Sequence, residues 1–349
     1  MYTEFYGLTK KPFNMTPDPA FLYLTRQHRE ALAGLSYAIV ERKGFLVLSG
    51  VAGCGKTTLL AWVLGRLPTA QVQSSIILNP MLKPDEFLEM AMLDFGITEI
   101  PESKARRLWM LQNYLMQGQR DGKINVLIVD EAHKLSPGLM EEVRLLGNLE
   151  HGTDKLLQIL LIGQPELDDV ISRPELWQFK QRINVRVSLE ALSEEEVDRY
   201  IEHRWRVAGG KEPAPFSLEA RAAVAKRSTG IPRLVNSLCD NALTMAFADE
   251  SRTITAEHIE TAARDLRLIP KAPAAAPVVM MPASHAEPPD AHAAAVRSSP
   301  ALVVKNGTAP ANKPKLADGD EPILTTPISA KRSWLARWFG LATNGNGRH

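Results

Sequence analysis

Cysteine is nearly absent from the sequence, with two residues, Cys54 and Cys239, in a chain of 349. Two isolated thiols cannot build a disulfide framework or, unaided, a four-ligand zinc site, and a reducing compartment is the simplest reading. No stretch approaches the ~18 uninterrupted apolar residues that span a bilayer. The opening residues, Met1 to Gly7, have neither the basic nor the apolar region of a secretory signal. A cytoplasmic protein is the resulting expectation. Excess charge of either sign is also missing. Lys and Arg total 41 against 40 Asp and Glu, so no global field draws the chain to nucleic acid, although a local basic face stays open. What is present is ordinary globular material. The chain is 45% hydrophobic and 23% charged, which excludes collagen-like, wholly disordered and multi-span classes. Its length predicts roughly two domains of ~150 residues.

Composition shifts near Pro270. Residues 271 to about 330 are mostly Ala, Pro, Ser, His and Asn, with too little apolar surface to offset backbone ordering, and read as a flexible linker. Lys331 to Ala342 regains character: Trp334, Trp338 and Leu341 share one helical face, with Leu335 and Phe339 beside it. This segment reads either as a tail that never orders or as a helix that docks a partner or a membrane surface, with Lys331, Arg332 and Arg337 near lipid phosphates.

Before Pro270 the periodicity alternates. Phe45–Leu48, Ser74–Leu78, Val126–Val129 and Leu156–Ile162 are short apolar runs of the kind buried on both faces of a parallel sheet, and Asn184–Ser188 reads as a fifth strand. Helical patterns separate them, which predicts an α/β domain with right-handed crossovers. Ser193 and Glu196 form a capping box. Beyond it only helical periods occur, at about 194–208, 218–228, 232–248 and 256–267, and these predict a small all-helical domain.

The chemistry begins at Gly50. Gly50-Val51-Ala52-Gly53-Cys54-Gly55-Lys56-Thr57 matches G-x-x-x-x-G-K-[ST], follows a strand and opens a helix that continues with Thr58. Its glycines let successive N–H groups face phosphate oxygens while the helix N-terminus adds its dipole. Lys56 is expected to bridge the β- and γ-phosphates of ATP, and Thr57 to ligate Mg²⁺. Strand Val126–Val129 ends in Asp130 and Glu131. Asp130 is expected to hold Mg²⁺ through water and Glu131 to polarise the attacking water. His133 is open between a coupling role and a solvated helix start. Gln164, at the end of the next strand, reads as a γ-phosphate sensor or a turn amide. Arg182 precedes the last strand, where an arginine can reach a neighbouring subunit's nucleotide; Arg173 and Arg186 compete for that role. Arg233, in Gly-Ile-Pro-Arg, reads as a lid residue for the γ-phosphate or as a surface ion pair. Cys54 is expected either to gain thiolate character from the helix N-terminus or to be an inert small side chain. Cys239 reads as core.

This order of loop, acids, polar residue and arginines resembles an AAA+ ATPase. Tyr2 to Leu35, together with GFLVLSGVAGCGKTTLL, VLIVDEAHKLS, LLIGQPEL, FKQRINVRVSL and GIPRLVNSLCDNAL, is similar to the ExeA/GspA family of secretion ATPases, whose smaller relatives include the MshM proteins of type IV pilus systems. The likeness covers about 1 to 268. It implies a five-stranded, mainly parallel P-loop NTPase sheet with a C-terminal all-helical lid and a disordered tail. The expected boundaries are 1–40 for an N-terminal segment packing on the ATPase core, 41–192 for that core, 193–269 for the lid, 270–330 for the linker and 331–349 for the tail. The resemblance also implies Mg²⁺-dependent ATP hydrolysis, homo-oligomers that place an arginine in trans, and an envelope-assembly partner of a secretin, pilus or exopolysaccharide apparatus. The resemblance implies that long family members continue into a transmembrane helix and a peptidoglycan-binding domain, neither of which is expected here. The expected envelope link therefore runs through the linker and tail, at the cytoplasmic face of the inner membrane. Val51, Ala52 and Cys54 replace the family's usual loop residues. The competing class is a DNA-associated AAA+ protein of the transposition-regulator or initiator type, which the balanced charge does not favour.

Overall fold

The computed structural model describes residues 2–268 apart from 17, 68–70 and 153. The linker and tail expected at 270–349 lie outside the described residues. Five strands form one sheet: β1 (Phe45–Gly50), β2 (Val72–Ile77), β3 (Ile124–Val129), β4 (Leu157–Gly163) and β5 (Ile183–Leu189). All pair in parallel, in the order β2-β3-β4-β1-β5. Each expected strand is present, shifted at its ends by one or two residues. A two-residue antiparallel ribbon, Glu150–His151 with Asp154–Lys155, precedes β4.

Burial on both faces explains the continuous apolar runs. Phe45 and Val47 of β1, Leu127 and Val129 of β3, and Ile159 and Leu161 of β4 face a core completed by α4 (Pro84–Phe95), α5 (Lys104–Arg120), α6 (Pro137–Leu146) and α7 (Glu166–Ile171). The alternate residues, Leu46, Leu48, Val126, Ile128, Leu160 and Ile162, are fully buried on the other side, where α2 (Arg26–Val40) and α3 (Lys56–Arg66) lie. The open edge of β2 is capped by a side chain: Asp94 of α4 accepts the Ile76 N–H at 2.7 Å, which removes a donor that could recruit another strand. At the other edge, β5 alternates between covered and exposed residues because only α2 lies on it.

Four helices follow: α9 (Glu194–Val207), α10 (Leu218–Ser228), α11 (Pro232–Ala248) and α12 (Ala256–Asp265). The Ser193–Glu196 capping box opens α9, and Ser217 caps α10 through the Ala220 N–H. Their apolar faces meet in a second core containing Trp205, Val224, Leu238, Leu243 and Ile259. Tyr2, Leu8, Phe13 and Phe21 belong to this same core. The expectation that 1–40 packs as one segment on the ATPase core is corrected here. Its first half supplies four large apolar groups to the helical unit, and only α2 goes to the sheet.

Arg204 of α9 ties the two pieces together. Its Nε donates to Pro12 O at 2.5 Å, Nη1 donates to Tyr200 Oη at 3.0 Å and Nη2 to Asn14 O at 3.5 Å. The guanidinium also lies 4.8 Å from the Phe21 ring centroid. The Tyr200 hydroxyl in turn donates to Asn236 Oδ1 at 2.9 Å. The arginine is only 7% exposed, so its loss would leave the carbonyl oxygen of buried Pro12 and the Tyr200 hydroxyl without this donor. Arg204→Ala is expected to lower unfolding stability by about 2–4 kcal/mol, read as a reduced urea midpoint. An unchanged midpoint would mean that these groups find other donors.

Candidate functional site

The strand order brings three loops to one end of the sheet. Ser49 of β1 is level with Gly163 of β4, and Leu161 of β4 with Val129 of β3. The phosphate-loop motif, Gln164 and the Asp130–Glu131 pair therefore leave adjacent strands at the same height, with Gln164 in the middle. Ligands of open parallel sheets bind outside such carboxyl ends.

Gly53 and Gly55 adopt φ of 84° and 100°, and α3 starts directly after Gly55. Lys56 is buried, and its ammonium donates to Gly50 O at 2.7 Å and Val51 O at 3.0 Å. Thr57 and Thr58 follow in the first turn of α3, both half-buried. Val51 and Gly53 are half-buried as well, while Ala52 is exposed at the loop's tip.

Cys54 is 1% exposed and lies against Gly50, so close that a Cβ on Gly50 would stand 2.9 Å from its Sγ. Burial pushes the thiol above its ordinary range and outweighs the opposing pull of Lys56 and the neighbouring N–H groups. The expectation of a thiolate favoured by the helix N-terminus is corrected accordingly. The side chain turns into the protein, away from the solvent side of the dipole, and Cys54 is the inert alternative. Cys239 lies fully buried in the helical core.

Asp130 ends β3 with its N–H on Ile77 O at 2.9 Å, and its Oδ1 accepts the Glu131 N–H at 2.8 Å. Burial raises its pKa above the usual carboxylate range, despite that bond and the nearby Lys56. Glu131 is half-exposed at φ 52°. Burial raises its carboxyl too, but Lys134, His133 and Gln164 together overcome this and hold it below the ordinary value. His133 is not a solvated helix start. Its side chain is 13% exposed, Nδ1 accepts the Gln164 N–H at 3.3 Å, and Nε2 stands 3.5 Å from Glu131 Oε2. Lys134 was not singled out from the sequence, although its three-residue spacing from Glu131 was readable there.

Arg233 comes to the loop from the helical unit. Its N–H donates to Gly53 O at 3.3 Å, and a Cβ on Gly53 would lie 2.8 Å from Arg233 Cβ and 3.2 Å from Ile231 Cγ2. Among the described residues its guanidinium pairs with no carboxylate, so the surface ion-pair alternative fails. The approach depends on a second glycine. Gly230, at φ 74°, accepts the Leu192 N–H at 2.9 Å, and a Cβ there would overlap Leu192 O at 2.0 Å.

Arg182 is not brought to this site. It precedes Ile183, which is level with Phe45 at the start of β1, so the length of β5, ~20 Å, separates it from its own loop. Its guanidinium donates to Asn148. Arg186 pairs with Asp168 at 3.0 Å, and Arg173 lies exposed before Pro174. Among the described residues no cluster of three or more His, Cys, Asp or Glu can hold a metal, and no helix is long and apolar enough to cross a membrane.

The burial of both cysteines gives a direct check. Native protein is expected to leave Cys54 and Cys239 unmodified by an aromatic disulfide reagent for many minutes, and to release two thiols on denaturation. Rapid release of one equivalent, lost in Cys54→Ala, would restore the reactive-loop reading.

Residues 40–171 match the family model described as AAA domain. General secretion pathway protein A of Aeromonas hydrophila is 40% identical over 267 residues, which is 76% of this chain and 48% of that protein. The chain thus matches about half the length of that relative. Among solved structures, ORC2 of Aeropyrum pernix superposes with a TM-score of 0.55 at 17% identity, over 73% of this chain and 71% of that one. Cdc6p of Pyrobaculum aerophilum gives 0.54 at 14% identity, over 70% of each chain. These likenesses concern the fold. Residues 40–171 are thus an AAA domain with the P-loop NTPase fold, and the chain is, over 76% of its length, a homologue of general secretion pathway protein A.

Proposed function

We propose that this chain is a Mg²⁺-dependent ATPase that switches or drives assembly of an envelope machine. The observation that carries the reading is the meeting of Lys56, Asp130, Glu131 and Gln164 at one sheet end, with Arg233 bonded to the loop through Gly53. Such a set supplies what phosphoryl transfer needs, which is positioning and charge stabilisation more than covalent chemistry.

The residues fit a magnesium ion. Thr57 stands in the first turn of α3, and the desolvated Asp130 carboxylate has a backbone N–H as its hydrogen-bond donor, so a cation is the partner that would offset its burial. One carboxylate and one hydroxyl suit an ion that keeps waters and takes its remaining ligands from phosphates. Bound there, Mg²⁺ would neutralise charge on the β- and γ-phosphates. The N–H groups of Gly50 to Thr58 would cradle the phosphates. Lys56 would exchange its carbonyl partners for phosphate oxygens, and Glu131 would orient water and take its proton. Gln164 and Arg233 would contact the γ-phosphate, Arg233 linking its departure to movement of α9–α12 as a lid spanning 193–269. Arg182, too far from its own loop, would serve a second copy of the chain.

Kinship with a general secretion pathway protein supports a cytoplasmic role in building a secretin, pilus or exopolysaccharide exporter, with a protein of that machine as partner. Lys56→Ala is expected to abolish binding of a fluorescent ATP analogue. Glu131→Gln is expected to keep binding while turnover falls by about 10²-fold or more. Normal phosphate release by the Glu131 variant would remove the assignment. Arg182→Ala and Lys56→Ala, each inactive alone, are expected to recover activity when mixed, because one supplies the site and the other the arginine. No recovery at any ratio would argue against an arginine in trans.

A further inference from the structure

The turn after β3 leaves Glu131 with a left-handed backbone, a costly conformation for a residue other than glycine that persists where its surroundings hold it. Its side chain is held from two directions. From the turn that follows, Lys134 Nζ stands 3.2 Å and His133 Nε2 3.5 Å from the same oxygen, Oε2. From the end of β4, Gln164 lies against His133 and adds to the pull on the same carboxylate. His133 is itself fixed, since Nδ1 accepts the Gln164 backbone N–H. In the neutral ring the proton then sits on Nε2 and points at Glu131. Gln164 Nε2 lies 3.3 Å from His133 Nε2, and with the ring proton on Nε2 both nitrogens are donors.

Lys134 differs from the other two donors. His133 and Gln164 are tied together at the sheet end, whereas the Lys134 side chain is 48% exposed and Glu131 is the one carboxylate its ammonium meets among the described residues. A general base must turn a free oxygen to water. The oxygen that receives the ammonium, Oε2, is a poorer acceptor, and the pair fixes where Oε1 points. Building on the reading of Glu131 as the base, we infer that Lys134 is a positioning residue that latches Glu131 in a resting orientation, and that its withdrawal is a separate step before turnover.

The test is steady-state ATP hydrolysis by the full chain as wild type, Glu131→Gln, Lys134→Met, Lys134→Arg and the Lys134→Met/Glu131→Gln double variant. Binding of a fluorescent ATP analogue is followed in parallel. Lys134→Met is expected to raise kcat by about two- to fivefold, the restraint that a half-exposed ion pair can exert, with KM and analogue affinity unchanged. Lys134→Arg is expected to stay near the wild-type rate, and the double variant to be silent. A Lys134→Met rate equal to or below wild type, with Glu131→Gln silent, overturns the latch alone. Wild-type turnover by Glu131→Gln overturns the assignment of the base and the latch with it.

Discussion

Everything at the active end rests on parallel strands that finish level. Neighbouring strands lie ~4.8 Å apart, so loops leaving β1, β4 and β3 at the same height open within one or two such spacings of each other. The register is enforced by side chains with no alternative place to go. Leu46, Leu48, Ile128, Leu160 and Ile162 on one face and Val47, Leu127, Val129, Ile159 and Leu161 on the other are almost wholly buried, and a one-residue slip would exchange the two sets. At the top of β4 the fit tightens further. A Cβ on Gly163 would stand 2.9 Å from Leu167 Cδ2 and 3.3 Å from His133 N. This close approach lets the turn after β3 and the end of β4 share hydrogen bonds, and so places Glu131, His133 and Gln164 in one cluster.

The helical unit meets the phosphate loop and the segment after β5 through backbone hydrogen bonds. Leu192 is hydrogen-bonded to Gly230, and Gly53 to Arg233, with both glycines at positive φ and in spaces where a Cβ would collide. Two closely fitted backbone contacts are a different device from a broad apolar interface. Neither leaves room for a side chain, so the phosphate loop and the helical unit are fitted directly to one another. The larger apolar surface lies elsewhere, between the helices and residues 2–21, so the N-terminal stretch stabilises the helical unit while α2 stabilises the sheet. Residues between Phe21 and Arg26 therefore join two separate cores.

Most of this was readable from residues alone, for stated reasons. Strands buried on both faces leave continuous apolar runs, and the Ser193–Glu196 box marks its helix within one residue because capping is local chemistry. The phosphate loop and its two acids are legible because their function fixes both residue type and order. Three things were not. The destination of Tyr2, Leu8, Phe13 and Phe21 depends on which apolar surface has room, and no local signal carries that. The state of Cys54 turns on whether its side chain faces inward, and a loop motif gives the dipole but not the direction. Lys134 carries no local mark that separates it from other surface lysines, since its pairing with Glu131 depends on the left-handed turn at that residue.

The two charged groups closest to the chemistry are held by opposite kinds of partner, and this bears on where control can act. Lys56 is buried on the carbonyls of Gly50 and Val51, neutral acceptors that phosphate oxygens exceed in strength because both partners of the new bond are charged. Exchanging them favours the nucleotide. Glu131 is held by an ammonium, and the phosphates of ATP, being anionic, attract that ammonium and not the carboxylate. The phosphates therefore release the base by attracting Lys134 to themselves, while a cation at Asp130 or another acidic group near Lys134 would act on the same pair. Binding rests on Lys56 and catalytic readiness on Lys134, so a partner that supplies a carboxylate near Lys134 would act on the second without altering the first.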